Sequence, residues 1–222
     1  MTSYGVVIPA FNAAATIAET LRSVAAQTVK PDEIVVVDDG STDSTAQAVA
    51  ASGVAVRYLR QDNVGPGHAT TTGMAALASP IIATIDADDL WLPEKLERQL
   101  QRLAEHPDAS GVFTHWLTFL DGEPERKSST PQPGWSRTTM TIRREIVDTN
   151  GPIRDPVGGR GEMVDWIARV REAGFRLHML DDVLALRRIR PGSLSYGRDV
   201  RDRGYLQVAR QALLRRQLQS AG

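Results

Sequence analysis

The chain contains no cysteine. That excludes disulfides and thiolate metal sites, and it leaves the redox compartment open. Neither sign of charge is in excess: 26 basic against 27 acidic residues give a formal net charge of -1. No global field therefore favours nucleic acid or an anionic membrane. Long hydrophobic runs are also missing, and no stretch approaches the roughly 18 apolar residues of a spanning helix. The first residues run almost at once into Val6-Val7-Ile8, without the basic region and apolar run of a signal peptide. A cytoplasmic protein is expected, touching a membrane only peripherally. There is no internal repeat and no P-loop. Gly65-Pro66-Gly67 follows a later strand and lacks the third glycine of a dinucleotide fingerprint. His68, His106, His115 and His178 are scattered, and their spacing supports no Ser-His-Asp arrangement.

What is present is a rhythm of strand and helix. The 222 residues suit one α/β domain, or one domain with a small appendage. Val6-Val7-Ile8 is a short β-branched run stopped by Pro9, and Ile17, Leu21 and Val24 follow at helical spacing over about residues 13–27. Glu33 to Val37 predicts a second strand, with a short helix capped by Asp43 or Ser44 after it. Val54 to Leu59 predicts a third strand, residues 67–78 a small-residue helix, and Ile81 to Ile85 a fourth strand. Pro93 opens a helix that places Leu96, Leu100 and Leu103 on one face, and Ser110 to Phe119 predicts a fifth strand. The pattern predicts a mainly parallel sheet with helices on both faces, which binds ligands beyond the carboxyl ends of its strands. Beyond it, residues 121–137 read as a loop or loose hairpin and Thr139 to Ile142 as a short strand. Ile153 to Gly161 reads as a loop and Glu162 to Ala173 as a helix. Phe175 to Leu180 and Val183 to Leu186 read as a closing pair of strands, and the tail from about Asp199 as an amphipathic helix.

Polar residues gather at three of those strand ends. Ile85 runs straight into Asp86-Ala87-Asp88-Asp89. Carboxylates directly after a buried strand are costly unless their charge is compensated. A hard divalent cation does this with one or two carboxylates and substrate phosphates. An acidic turn that merely caps the next helix is the competing reading. Asp38-Asp39-Gly40-Ser41-Thr42-Asp43 ends the second strand in paired acids and a tight turn. Its carboxylates suit a base N–H or ribose hydroxyls, although a capped turn explains it equally well. Pro9-Ala10-Phe11-Asn12 shapes the turn after the first strand.

Four segments in register resemble the family 2 glycosyltransferases. They are Val7-Ile8-Pro9-Ala10-Phe11-Asn12, Glu33 through Asp43, Asn63-Val64-Gly65, and Ile85-Asp86-Ala87-Asp88-Asp89. The resemblance is dense over about residues 4–105 and thin beyond. It implies a single α/β domain of GT-A type over residues 1–222, with a Rossmann-like, mainly parallel central sheet flanked by helices. About residues 1–110 would form the nucleotide-sugar-binding half. About 111–222 would form a smaller acceptor-side half that ends in the C-terminal helix. Pro9, Ala10, Phe11 and Asn12 would line the nucleotide pocket, with Asn63 and Gly65 beside it. Asp38 or Asp39 would hold the base, usually uracil. Asp86-Ala87-Asp88 would be the DXD motif: Asp86 on the ribose or donor sugar, Asp88 on Mn²⁺ or Mg²⁺. The implied reaction is a direct, inverting displacement that needs a general base on the acceptor.

The C-terminal half departs from the family pattern. Gly161-Glu162-Met163-Val164-Asp165-Trp166-Ile167-Ala168-Arg169 resembles the segment that supplies the base, but the usual aspartate falls on Met163. Glu162 is the first candidate base and Asp165 the second; acids favoured by a helix dipole are the competing explanation. Ala69-Thr70-Thr71 stands where the family often has an arginine. Arg190 stands where it often has a metal-binding histidine. Arginine cannot ligate a cation but pairs with phosphate, so Arg187, Arg188 or Arg190 would restore lost charge. Trp116, Trp135, Thr138, Thr139 and Met140 would line the acceptor side, and the acceptor itself is undetermined. The tail helix would serve a homodimer or a membrane surface, or simply cover the core. Two other functions compete: a nucleotide-sugar-binding scaffold with weakened catalysis, and a nucleotidyltransferase, which the Pro9-Ala10-Phe11-Asn12 turn does not fit.

Overall fold

The computed structural model describes residues 3–127, 130–156 and 161–190. The expected tail helix lies outside the described residues. The elements run β1 (Tyr4–Ala10), α1 (Ile17–Ala25), β2 (Glu33–Asp39), α2 (Thr45–Ala50), β3 (Arg57–Gln61), α3 (Pro66–Ala76) and β4 (Ile81–Thr84). Then follow β5 (Leu90–Trp91), α4 (Lys95–Glu105), β6 (Ala109–Leu120), β7 (Glu123–Lys127), β8 (Gln132–Pro133) and β9 (Thr141–Arg143). Last come α5 (Arg144–Asn150), α6 (Glu162–Glu172) and β10 (Arg176–Ile189). A short 3₁₀ turn, Arg137–Thr139, precedes β9.

The strands form one ten-stranded sheet, ordered β3-β2-β1-β4-β9-β6-β10-β5, with β7 and β8 paired to β6. β1 pairs in parallel with β2 and β4, and β6 in parallel with β10. β9 lies antiparallel between β4 and β6. The sheet is thus mainly parallel, as the alternating pattern predicts. Alternate side chains of each strand face opposite layers. Val6 and Ile8 pack with Ile17, Leu21 and Leu96 on one face, while Val7 packs with Ala69, Met74 and Trp166 on the other. On α1, Ile17, Leu21 and Val24 are buried, as their helical spacing requires.

Several boundaries differ from the sequence reading. The closing pair of strands is a single β10, whose pairing with β6 is irregular between Leu180 and Ala185. A bulge absorbs the Asp181-Asp182 step that reads as a break. The third strand begins at Arg57 rather than Val54. The segment 121–137 contains β7 and β8, and α5 was not anticipated.

The chain order reverses beside β1: β2 and β3 lie to one side and β4 to the other. Ala10 pairs with Asp38, and Val7 with Thr84. The turns after β1, β2 and β4 therefore emerge at one edge, where parallel sheets open a crevice.

Candidate active site

The acidic turn Asp86-Ala87-Asp88-Asp89 is held by its neighbours through its backbone. Thr16 and Thr20 of the α1 segment donate their hydroxyls to the Ala87 carbonyl at 2.9 and 3.0 Å, and Thr20 also donates to the Asp89 carbonyl at 2.8 Å. Arg188 Nε donates to the Asp88 carbonyl at 2.7 Å. The three aspartates then diverge. Asp89 is buried and accepts from Thr138 Oγ1 and, at 2.8 Å, from Arg188 N. Burial, then the charges of Asp88 and Asp86, hold its carboxyl well above the usual carboxylate range. Asp86 accepts from Arg137 Nε at 2.7 Å. Asp88 has Arg190 Nε 3.8 Å from its Oδ2. Burial and the Asp86 charge raise its carboxyl too, against the pull of Arg190.

The paired acids of β2 face opposite sides. Asp38 Oδ1 accepts from Ser41 N at 2.8 Å, and Oδ2 accepts from Tyr58 and from Arg60 Nη1. Burial alone would raise its carboxyl; the bonds from Ser41 and Tyr58 and the charge of Arg60 outweigh it and leave it lowered. Asp39 accepts from Gln61 Nε2 at 2.7 Å and Val64 N at 3.1 Å through Oδ1, and from Gly65 N at 2.9 Å through Oδ2. It thereby shapes the turn Asn63-Val64-Gly65, where Gly65 has φ 108° and a Cβ would strike Asp155. Asn12, with φ 48°, laces the first turn to the second. Its N donates to Ser41 Oγ and its Oδ1 accepts from Thr42 N, both at 2.9 Å. Pro9, Ala10 and Ala87 are buried. Phe11 and Val64 stand about half exposed on its rim.

The head of α6 reaches the same place through one residue. Arg137 is buried, and its Nη1 donates to Glu162 Oε1 at 2.7 Å while its Nε holds Asp86. Burial would depress its guanidinium pKa, but Asp86 and Glu162 more than reverse that. Met163 packs in the core beside Trp166 and Ile167. Asp165 is bonded to Arg169 Nε at 2.9 Å, and Arg169 in turn donates to the carbonyls of Asn150 and Pro152. Asp165 therefore braces the α5–α6 connection, while Glu162 is tied through Arg137 to the acidic turn.

The arginine run separates into three environments. Arg187 stacks 5.1 Å over the Trp116 ring. Arg188 is buried, with Nη1 on Asp121 at 2.6 Å and Nη2 on Glu19 at 2.5 Å. Arg190 faces Asp88. On the expected acceptor side, Thr139 and Met140 are fully buried, and Trp135 packs on Phe113 with Arg171 over its ring. Thr138 bonds Asp89. The backbone before β9 lies alongside the end of β4: the Met140 carbonyl accepts from Thr84 N at 3.1 Å and the Arg137 carbonyl from Thr84 Oγ1 at 2.7 Å. Arg137 was missed by sequence reasoning: it lies in a Ser-rich stretch with no periodicity, and only its fold neighbours reveal its carboxylates.

The chain is similar to known glycosyltransferases. An uncharacterized glycosyltransferase of Nostoc sp. is 32% identical over 179 residues, covering 70% of this chain and 55% of that protein. The chain therefore spans about half of that relative. A putative teichuronic acid biosynthesis glycosyltransferase of Bacillus subtilis, TuaG, is 28% identical over 204 residues, 86% of this chain and 80% of TuaG. Among solved structures, S. aureus TarS in complex with UDP-GlcNAc superposes with a TM-score of 0.75 at 21% identity, over 96% of this chain and 66% of that one. Glucosyl-3-phosphoglycerate synthase of Mycobacterium tuberculosis, in complex with Mn²⁺, UDP and phosphoglyceric acid, gives 0.69 at 20% identity, over 95% and 78%. These neighbours establish the GT-A fold. The sequence model of Glycosyl transferase family 2 matches residues 5–159, well over half of the chain. The chain belongs to that family.

Proposed function

We propose that the protein moves a sugar from a nucleotide-diphosphate donor, UDP-linked, to an acceptor with inversion at the anomeric carbon. The observation that carries this reading is Arg137. One guanidinium spans Asp86 on the donor turn and Glu162 at the head of α6, so a leaving group and a base sit across a single side chain. Phe11 and Val64 offer apolar surface to a nucleobase on the turns after β1 and β3. Asp39 is the acid for a base N–H: Oδ2 accepts only from Gly65 N among the described residues, which leaves a lone pair. Asp86 addresses the ribose or donor sugar. Glu162 uses Oε1 on Arg137 and keeps Oε2 for the acceptor proton. Asp165 remains a bracing residue. UDP and UDP-GlcNAc in the TarS complexes support a uridine donor.

A divalent cation, Mn²⁺ or Mg²⁺, fits at one carboxylate. No group of three acidic or imidazole side chains that would hold a metal occurs among the described residues. Among the described residues, Asp88 is the aspartate of the turn with no hydrogen bond to its carboxylate from another side chain, and one carboxylate with diphosphate oxygens satisfies such ions. When bound, the ion neutralises charge that grows on the departing diphosphate. The neighbours that contain Mn²⁺ or Mg²⁺ support this. The test is donor turnover: Asp88→Ala is expected to lose at least about 100-fold in nucleoside diphosphate release. Equal release by wild type and variant would refute the assignment. Met163 in the core, at the family's usual base position, favours a second reading: a nucleotide-sugar-binding protein with little catalysis. Calorimetric binding of UDP-sugars without any release of UDP would select it.

A further inference from the structure

The three arginines around the acidic turn are not equivalent. Arg137 is buried between two carboxylates, and Arg188 is buried between Glu19, Asp121 and the Asp88 carbonyl. Neither can leave without stranding charge in the interior. Arg190 differs. It sits 3.8 Å from Asp88, beyond hydrogen-bond length, and both side chains are about a quarter exposed, at 26% and 27%. Asp88 and Asp86 are exposed alike, at 27% and 28%, while Asp89 is buried. A diphosphate arriving at this edge meets the carboxylates of Asp86 and Asp88, of which Asp86 is already ion-paired with Arg137, a partner it shares with Glu162. Among the described residues beside the turn, the loosely held cation is Arg190, whose planar fork matches two phosphate oxygens.

We propose that Arg190 is a diphosphate-binding residue of the donor site, exchanging Asp88 for the donor's phosphates, so that nucleoside diphosphate binds without a divalent cation. This rests on the donor reading above. The exchange leaves the Asp88 carboxylate open to a cation, so metal strengthens binding rather than permitting it.

Isothermal titration of UDP into the full chain, in EDTA and again in Mn²⁺, tests the assignment with wild type, Arg190→Ala, Arg190→Lys and Arg190→His. Wild type is expected to bind UDP in EDTA. Arg190→Ala is expected to weaken that binding by about tenfold or more, the range for a lost charge-assisted pair. Arg190→Lys should recover part of the loss, and Arg190→His should bind only with Mn²⁺. Matching thermal melts separate a lost contact from a lost fold. Wild-type binding that requires Mn²⁺, or binding in EDTA that Arg190→Ala leaves intact, overturns the role of Arg190 and spares the donor reading. No binding of UDP, GDP or ADP under either condition overturns both.

Discussion

Glu162 and Asp165 are three residues apart on one helix, yet their surroundings give them different work. Asp165 is closed off by Arg169, which also ties down two carbonyls of the α5–α6 connection. Glu162 faces Arg137 and, through it, Asp86. Glu162→Gln keeps an amide oxygen for Arg137 while removing the proton acceptor. It is expected to lower kcat by about 100-fold or more and leave UDP affinity unchanged, as for loss of a general base. Steady-state kinetics beside a UDP titration decide this; an unchanged kcat would remove Glu162 from the chemistry. The two acids read alike in sequence because spacing places both near the same helical turn. Their partners tell them apart: Arg169 on the same helix for Asp165, and Arg137 from another segment for Glu162.

At the scale of elements, α3 shows how the nucleotide edge is kept in shape. The helix starts at Pro66 without a side-chain cap from its own N-cap residue, Gly65. Asp155, nearly ninety positions on, supplies the cap instead: its oxygens accept from Gly67 N and His68 N, both at 2.9 Å. Further along, a Cβ on Gly73 would come 2.3 Å from Val7 Cγ1, so α3 lies tight on β1. The cap therefore fixes the Asn63-Gly65 turn relative to Asp39. Asp155→Ala is expected to cost about 1–2 kcal/mol, the usual range for a lost helix cap. That corresponds to a fall in Tm of roughly 2–8 °C for a chain of this size. Thermal unfolding by circular dichroism checks it, and an unshifted melt would show that water replaces the cap without loss. The sequence marks this region as a Gly-rich helix entry. It gives no sign that a loop from the other half completes it, since no local pattern encodes a contact across that separation.

Across the whole molecule, a buried polar chain runs from the acidic turn to α4. Asp89 accepts from Thr138, whose carbonyl accepts from Trp91 Nε1 at 2.6 Å. Lys95 lies 4.1 Å over the Trp91 ring and donates to Gln99 Oε1 at 2.7 Å; Thr141 donates to the same oxygen. Gln99 then donates to the carbonyls of Val112 and Thr139. Lys95 is fully buried, and burial pushes its amine well below the ordinary lysine value of 10.5. The unfolded chain therefore binds a proton that the folded chain lacks, between the folded pKa and 10.5. Stability from this group is complete above that upper limit and is lost as pH falls towards the folded pKa. Lys95→Met removes the penalty and leaves Gln99 Oε1 bonded to Thr141. It is expected to stabilise the fold at pH 7 by on the order of 1 kcal/mol, with the gain shrinking as pH rises towards 10. Urea unfolding at pH 7 and 9.5 measures both; destabilisation at pH 7 would mean that the Trp91 face holds a charged ammonium.

The sequence by itself determined the layered α/β fold and the edge on which the acids gather. Alternating runs of β-branched strands and amphipathic helices leave few ways to bury their apolar faces, and parallel strands bring the turns after β1, β2 and β4 to one side. It also carried the family, because the four matching segments lie in turns whose local chemistry is written in consecutive residues. Tertiary structure alone decided which of those acids are available. Asp38 and Asp89 are satisfied from within the fold, Asp39 keeps a lone pair on Oδ2, Asp86 shares Arg137 with Glu162, and Asp88 is left facing Arg190. It also turned two expected strands into one bulged β10, and it moved Thr139 and Met140 from an expected acceptor surface into the core. The reason is the same in each case. A carboxylate's protonation and reach depend on charges and donors brought close by packing, and those partners come from segments 20 residues away for Asp38 and as many as 99 for Asp89.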